Sequence, residues 1–124
     1  MTGTPKIAES EWKVMKVLWS RAEPMPAYDI IQALSSEEWQ PKTVKTLLSR
    51  LVKKKALGYR TYKNLYLYYP IVSESECVKL ESESFLKRCF GGNLEPMLAH
   101  FVEERRLGKG QIAELKRILD QKGR

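Results

Sequence analysis

The hydrophobic period of this chain changes within the segment of residues 39–73, and this change restricts the possible folds more than any other feature. Over residues 41–54 the apolar positions recur every three or four residues, which is typical of a helix buried on one face. Residues 59–69 are rich in aromatic residues that favour strands, and Lys63-Asn64 at their centre suits a tight turn. The sequence therefore predicts a helix followed by a two-stranded hairpin.

The same segment contains no Asp or Glu, although it carries eight basic residues. The net charge of the chain is +7, and residues 1–70 supply most of it, with 12 Lys and Arg against 6 Asp and Glu. An ordinary exposed helix mixes both signs to gain pairs four residues apart, so a merely solvated face is disfavoured. The charge instead indicates a surface that meets a polyanion. The basic residues are Lys42, Lys45, Arg50, Lys53, Lys54, Lys55, Arg60 and Lys63.

Two more helices are predicted before this segment. Residues 9–20 place aromatic and aliphatic side chains on one face, with Glu9 and Glu11 in the first turn, where the helix dipole favours acids. The Glu-Pro-Met-Pro sequence of residues 23–26 ends that helix, and a short second helix follows over residues 27–34. Three helices and a hairpin, in this order, predict a winged helix-turn-helix.

The third predicted helix is the best candidate to enter a DNA major groove. Its Lys and Arg side chains suit guanine or phosphate, and its small hydroxyl side chains allow close approach to base edges. The hairpin, or wing, would reach the DNA backbone or the neighbouring minor groove, while residues 53–55 add untargeted charge at the helix end. The predicted DNA-binding residues are Lys42, Thr43, Lys45, Thr46, Ser49 and Arg50 on the helix and Arg60 and Lys63 on the wing.

The tyrosines of the hairpin suggest two interpretations. They could stack on single-stranded bases, but two strands form a poor stacking platform. Packing of the hairpin on the first and third helices is therefore the favoured prediction. These residues are Tyr59, Tyr62, Tyr66, Tyr68 and Tyr69.

The remainder of the chain predicts three further helices. Ser73 to Glu76 form a capping-box sequence for a helix over residues 74–90, Gly91-Gly92-Asn93 ends it and caps a second, and a third covers residues 110–121. About fifty residues cannot bury three apolar stripes alone, so a twofold-related copy is expected to cover them. The prediction is a mainly α chain with a small β-hairpin: a winged helix-turn-helix DNA-binding domain at 1–72 and a helical dimerisation domain at 73–124. The predicted dimerisation residues are Phe85, Leu86, Phe90, Leu94, Met97, Leu98, Phe101, Val102, Ile112, Leu115 and Leu119.

Several classes of protein are disfavoured by composition. The chain has one His, no nucleophile motif and no Gly-rich phosphate loop, so an enzyme is not expected. Cys77 and Cys89 would lie roughly 18 Å apart on one helix, which excludes a disulfide between them. Buried structural thiols are the expectation, and a redox or metal sensor is the alternative. We expect no metal, no cofactor and no membrane-spanning segment, and a cytoplasmic location.

Two sequence stretches resemble a known family. Residues 11–19, Glu-Trp-Lys-Val-Met-Lys-Val-Leu-Trp, and residues 39–51, Trp-Gln-Pro-Lys-Thr-Val-Lys-Thr-Leu-Leu-Ser-Arg-Leu, are similar to the first-helix and recognition-helix signatures of the penicillinase and methicillin-resistance repressors (BlaI/MecI). Residues 85–93 and 101–103 extend the likeness into the C-terminal half. The resemblance thus covers nearly the whole chain.

This resemblance implies a homodimeric transcriptional repressor whose winged helices bind the halves of a palindromic operator in double-stranded DNA. It further implies control of β-lactam resistance genes by a membrane-bound sensor protease that cuts the fifth helix, typically at an Asn-Phe bond. The matching bond here is His100-Phe101. Copper-responsive relatives end in a cysteine-rich cluster, whereas residues 118–124 contain no Cys, so a metal sensor of that kind is not expected. Two alternatives stay open: a winged-helix regulator that answers another signal, and a winged-helix module that binds an acidic protein.

Overall fold

The computed structural model describes residues 3–122, which form six α-helices and a three-stranded antiparallel sheet. The predicted fold class, mainly helical with a small β wing, is confirmed. One compact unit ends at Glu81, and a second begins at Ser82. Along the chain the elements are α1 (Glu9–Trp19), β1 (Met25–Pro26), α2 (Ala27–Ala33), a 3-10 turn (Ser35–Glu37), α3 (Pro41–Lys53), β2 (Leu57–Tyr62), β3 (Leu65–Pro70), α4 (Glu74–Phe90), α5 (Leu94–Glu103) and α6 (Lys109–Lys122).

The first unit has one hydrophobic core, to which α1, α2 and α3 each contribute one face. The helical spacing of apolar residues in α3 buries four side chains while leaving the opposite face in solvent. Each fully buried aliphatic side chain contributes roughly 1.5–3 kcal/mol, so this core holds α3 firmly against its neighbours. Cys77 of α4 also belongs to the core, and the first unit therefore extends into α4. The core residues of the three helices include Val14, Met15, Leu18, Ile30, Val44, Leu47, Leu48 and Leu51.

The sheet contains one strand more than the predicted hairpin. Residues 23–26 were expected only to interrupt the helices, but Met25 pairs with Tyr68 and Pro26 with Leu67, which makes β3 the central strand. A proline is tolerated there because β1 is an edge strand, where one amide donor is not needed. A strand of only two residues cannot show the alternating apolar pattern of a longer strand, so the sequence did not predict β1.

The turn of the wing follows the sequence prediction closely. Lys63 and Asn64 have φ angles of 48° and 67°, and the strands on either side pair in register from Tyr62 with Leu65. Two consecutive residues of positive φ are the geometry that a two-residue hairpin loop favours. Gly58 leaves room for the side chain of Tyr69 on the opposite strand, because an added Cβ would lie 2.8 Å from that ring and the ring would have to shift.

The capping box predicted for α4 is present. The amide of Ser73 donates to Oε1 of Glu76 at 3.2 Å, and the amide of Glu76 donates to Oγ of Ser73 at 3.1 Å. The second unit contains the remainder of α4, α5 and α6. Gly91 and Gly92 have φ angles of 60° and 86° and end α4, while Asn93 occupies the N-cap position of α5 without a capping hydrogen bond from its side chain.

Candidate nucleic-acid interface

Helix α3 and the wing expose all eight residues that the sequence predicted to bind DNA. The helix begins at Pro41, where the missing amide hydrogen causes no loss, and its four core residues fix which side faces outward. We call the exposed set the basic face. It consists of Lys42, Thr43, Lys45, Thr46, Ser49 and Arg50 on α3 and Arg60 and Lys63 on the wing.

The cations of the basic face are not neutralised by the protein's own acids. Within residues 3–122, no ion pair engages any of its five Lys and Arg side chains, because the ion pairs found there use other cations. Lys63 instead lies over the ring of Tyr62, with its Nζ 5.3 Å from the ring centroid. The charge of this surface is therefore available to an external anion.

The hydroxyl group of Thr46 on α3 already donates a hydrogen bond within the helix. Oγ1 of Thr46 donates a hydrogen bond to the carbonyl of Lys42 at 3.0 Å, one helical turn earlier. This leaves the methyl group and the oxygen lone pairs of Thr46 to face outward. The side chain suits contact with an apolar base substituent or a donor, rather than donation to a base.

One basic residue of the segment has an internal role that the sequence analysis missed. Lys54 was expected to add untargeted charge, but its Nζ pairs with the carboxylate of Glu11 and donates to the carbonyl of Lys6 at 3.0 Å. Glu11 is only 2% exposed and also accepts a hydrogen bond from the amide of Ala8 at 2.9 Å. An acid in the first turn of a helix is usually solvated, so the sequence carried no signal for this buried pair.

The packing predicted for the tyrosines of the wing holds for one of them only. Tyr68 is half-buried against the core, and burial, assisted by the neighbouring Tyr66 and Tyr59, raises its pKa. The other four are exposed, and the rings of Tyr59 and Tyr66 contact each other with centroids 4.5 Å apart. The prediction failed because Tyr62 and Tyr69 lie on the sheet face opposite Tyr68, whereas Tyr59 and Tyr66 share its face but contact each other across the strands.

The second unit exposes apolar surface along its helices. Among residues 82–122 no side chain is fully buried, and Leu94, Val102 and Leu119 are 44%, 46% and 53% exposed. All eleven predicted dimerisation residues lie in this unit and are half-buried or exposed. On α5 the ring of His100 is exposed and lies 5.6 Å from that of Phe101, which is half-buried.

The two thiols differ from one another. Cys77 is buried, and desolvation raises its pKa, whereas Cys89 is exposed, so the expectation of two buried thiols was wrong for Cys89. Cys89 lies near the C-terminal end of α4, in the unit without a closed core. Residues 3–122 contain no group of three or more potential metal ligands, and no helix among them is long and apolar enough to cross a membrane.

The core of three helices, the exposed basic helix and the adjacent β wing define a winged helix-turn-helix protein. A family model described as penicillinase repressor matches residues 7–121, and the chain belongs to this family, which is one of transcriptional repressors and not of enzymes.

Individual relatives agree with this assignment over nearly their full lengths. The penicillinase repressor of Bacillus licheniformis is 36% identical over 98% of this chain and 94% of its own. The methicillin resistance regulatory protein MecI of Mammaliicoccus sciuri is 32% identical over 96% of this chain and 97% of its own.

Solved structures resemble the N-terminal part. The DNA-binding domain of the repressor BlaI superposes with a TM-score of 0.54 at 36% identity, over 61% of this chain and 93% of that domain. The monomeric form of Bacillus licheniformis BlaI in complex with the blaP half-operator gives a TM-score of 0.52, with the same identity and coverage.

Proposed function

We propose that this chain is a transcriptional repressor that binds a palindromic operator as a homodimer. The observation that carries the proposal is the basic face, which combines an exposed helix without acids, a wing of the same charge and five cations that no internal acid engages. The similarity of this chain to a BlaI structure in complex with a half-operator supports the same conclusion.

In this proposal α3 lies in the major groove, with its N-terminal half nearest the bases. Lys42, Lys45 and Arg50 contact guanine edges or phosphates, and the methyl group of Thr46 faces a base substituent. Arg60 and Lys63 hold the backbone from the wing and fix the register of α3 without reading sequence.

Dimerisation through the second unit would turn weak half-site binding into operator binding. Helices that expose Leu94, Val102 and Leu119 have no core of their own among the described residues, and a second copy is the usual way to cover such stripes. Tethering two winged helices raises avidity by about 10²–10⁴ when both half-sites are engaged.

Release of the operator would follow from proteolysis of the dimerising unit. We propose that β-lactam resistance genes are the targets, since the relatives are penicillinase and methicillin-resistance repressors. A membrane-bound sensor protease would cut His100-Phe101, a bond between an exposed and a half-buried residue of α5. The cut would separate α6 and part of the apolar stripe from the winged helix, which would weaken the dimer.

Footprinting on DNA from upstream of the protein's own gene tests this proposal. We expect protection of a palindrome, strong loss of protection for the double variant Lys45→Ala, Arg50→Ala, and normal protection for Arg21→Ala, Lys79→Ala. The second variant also removes one Lys and one Arg, at exposed positions of the first unit outside the basic face. Equal affinity of the wild-type protein for operator and scrambled DNA would contradict the proposal.

A further inference from the structure

An open groove of about 480 Å³ lies beside the basic face, between α2, α3 and the wing. Its lining combines small and branched apolar side chains with three tyrosines, one lysine and one asparagine, and includes no carboxylate. The lining residues are Ala27, Tyr28, Ile31, Lys45, Asn64, Leu65, Tyr66 and Tyr68.

Two of these tyrosines are exposed and could contact a ligand. Tyr28 is 61% exposed and Tyr66 is 53% exposed, and within residues 3–122 no hydrogen bond engages either hydroxyl. Tyr68 differs from them because it packs against the core. The hydroxyls of Tyr28 and Tyr66 are thus donors that solvent alone satisfies in the free protein.

The groove is continuous with the proposed DNA surface. Lys45 belongs to both, since it is an exposed residue of α3 in the basic face and part of the groove lining. Asn64, at the turn of the wing, lies next to Lys63 of the basic face. A strand of DNA held by α3 and the wing together would therefore pass over this groove.

We propose that the groove holds the sugar-phosphate backbone of double-stranded DNA, with the hydroxyls of Tyr28 and Tyr66 donating to phosphate oxygens. The inference rests on the proposed operator binding and adds two neutral contacts to it. An amphipathic groove suits this occupant, because deoxyribose is largely apolar whereas the phosphates require donors and positive charge. Lys45 supplies the charge, and the absence of carboxylates from the lining removes the main source of repulsion.

Phosphate contacts from tyrosine leave a recognisable signature. Contacts to phosphate position the protein on the duplex and carry no direct sequence information. A neutral hydroxyl also neutralises no phosphate, so its loss should leave the salt dependence of binding unchanged, whereas the loss of a lysine contact lowers the slope by about 1. These two properties separate the proposed role from base reading and from simple charge.

The test replaces each hydroxyl alone, with Tyr28→Phe and Tyr66→Phe, and uses Tyr62→Phe as the matched control. Tyr62 is a wing tyrosine of similar exposure that does not line the groove. We expect each groove variant to lose at least about tenfold in affinity, as for one hydrogen bond to a charged group. The loss should be equal on operator and scrambled DNA, with an unchanged salt slope, and the control should bind as the wild type does.

A chemical change in the DNA completes the test. A neutral methylphosphonate placed at each pair of symmetry-related backbone positions in turn should, at one pair, remove most of the difference between Tyr28→Phe and the wild type, and likewise for Tyr66→Phe. Affinity of the double variant within twofold of the wild type would overturn the inference while leaving operator binding intact. If either tyrosine variant lost affinity only for DNA that carries one particular base pair, the inference would also be overturned, because the hydroxyl would then read a base. Absence of any operator preference in the wild-type protein would instead refute the proposed function.

Discussion

The buried ion pair between Glu11 and Lys54 provides the most specific prediction of stability. The side chain of Glu11 is 3% exposed and that of Lys54 is 34% exposed. Glu11 therefore depends on Lys54 to compensate its buried charge, whereas solvent can still hydrate Lys54. The substitution Lys54→Met keeps most of the apolar stem and removes only the charge. It leaves the Glu11 carboxylate buried, with the amide of Ala8 as its remaining partner.

The magnitude follows from the burial of the acid. Removal of one partner from a fully buried pair costs about 3–5 kcal/mol, because the other charge is left uncompensated. Lys54 is one-third exposed, which lets water screen the pair, so we expect about 1.5–3 kcal/mol for Lys54→Met. Glu11→Gln should cost less, about 1 kcal/mol, because Gln still accepts from Ala8 and Lys54 can turn to solvent.

Urea denaturation measures these differences directly. Lys53→Met is the matched control, since Lys53 is the preceding residue, is exposed and has no ion-pair partner within residues 3–122. Its effect should stay within about 0.5 kcal/mol. The double variant Glu11→Gln, Lys54→Met should be less destabilised than the sum of its parts. Equal free energies of unfolding for Lys54→Met and Lys53→Met would refute the reasoning.

Three further predictions concern single residues. Lys55 has a φ of 67° after the end of α3, so Lys55→Gly should raise the free energy of unfolding by about 0.5–1 kcal/mol in a urea titration, and destabilisation would contradict this. DTNB should titrate Cys89 in the native protein and Cys77 only after denaturation, since burial raises the pKa of Cys77; two fast native thiols would disprove the assignment. Hydrogen bonds from the amide and hydroxyl of Ser73 lower the pKa of Glu76. The ionised cap therefore stabilises α4 fully at pH values above the ordinary glutamate pKa, and this stabilisation is lost as the pH falls through the lowered pKa. Glu76→Gln should therefore reduce the melting temperature at neutral pH and much less under acidic conditions, whereas a deficit independent of pH would exclude the ionised cap.

The elements with strong local signals were predictable from sequence. Helix α3 has a regular apolar stripe and Pro41 at its first position, and the turn of the wing has Asn64, which tolerates positive φ. The capping box at the start of α4 likewise depends on residues three apart. In each case the determining interactions are local in sequence, so the pattern alone contains them.

The features that were missed depend on contacts between distant residues. Strand β1 exists because Met25 meets Tyr68, and the Glu11–Lys54 pair joins residues 43 apart. The exposure of Cys89 similarly depends on the packing of the second unit rather than on α4 itself. Sequence periodicity describes which face of an element is apolar, but it does not describe what lies opposite that face.

The salt dependence of operator affinity is the most direct test of the basic face as a DNA-binding surface. The five cations of the basic face in each protomer contribute at most about −9 to the slope of log K against log salt for a dimer, and we expect a steep slope of several units on operator and scrambled DNA alike. Lys45→Ala, Arg50→Ala should reduce that slope, and the wild-type protein should bind the operator far more tightly than scrambled DNA at every salt concentration. A shallow slope that the double variant leaves unchanged would contradict the account.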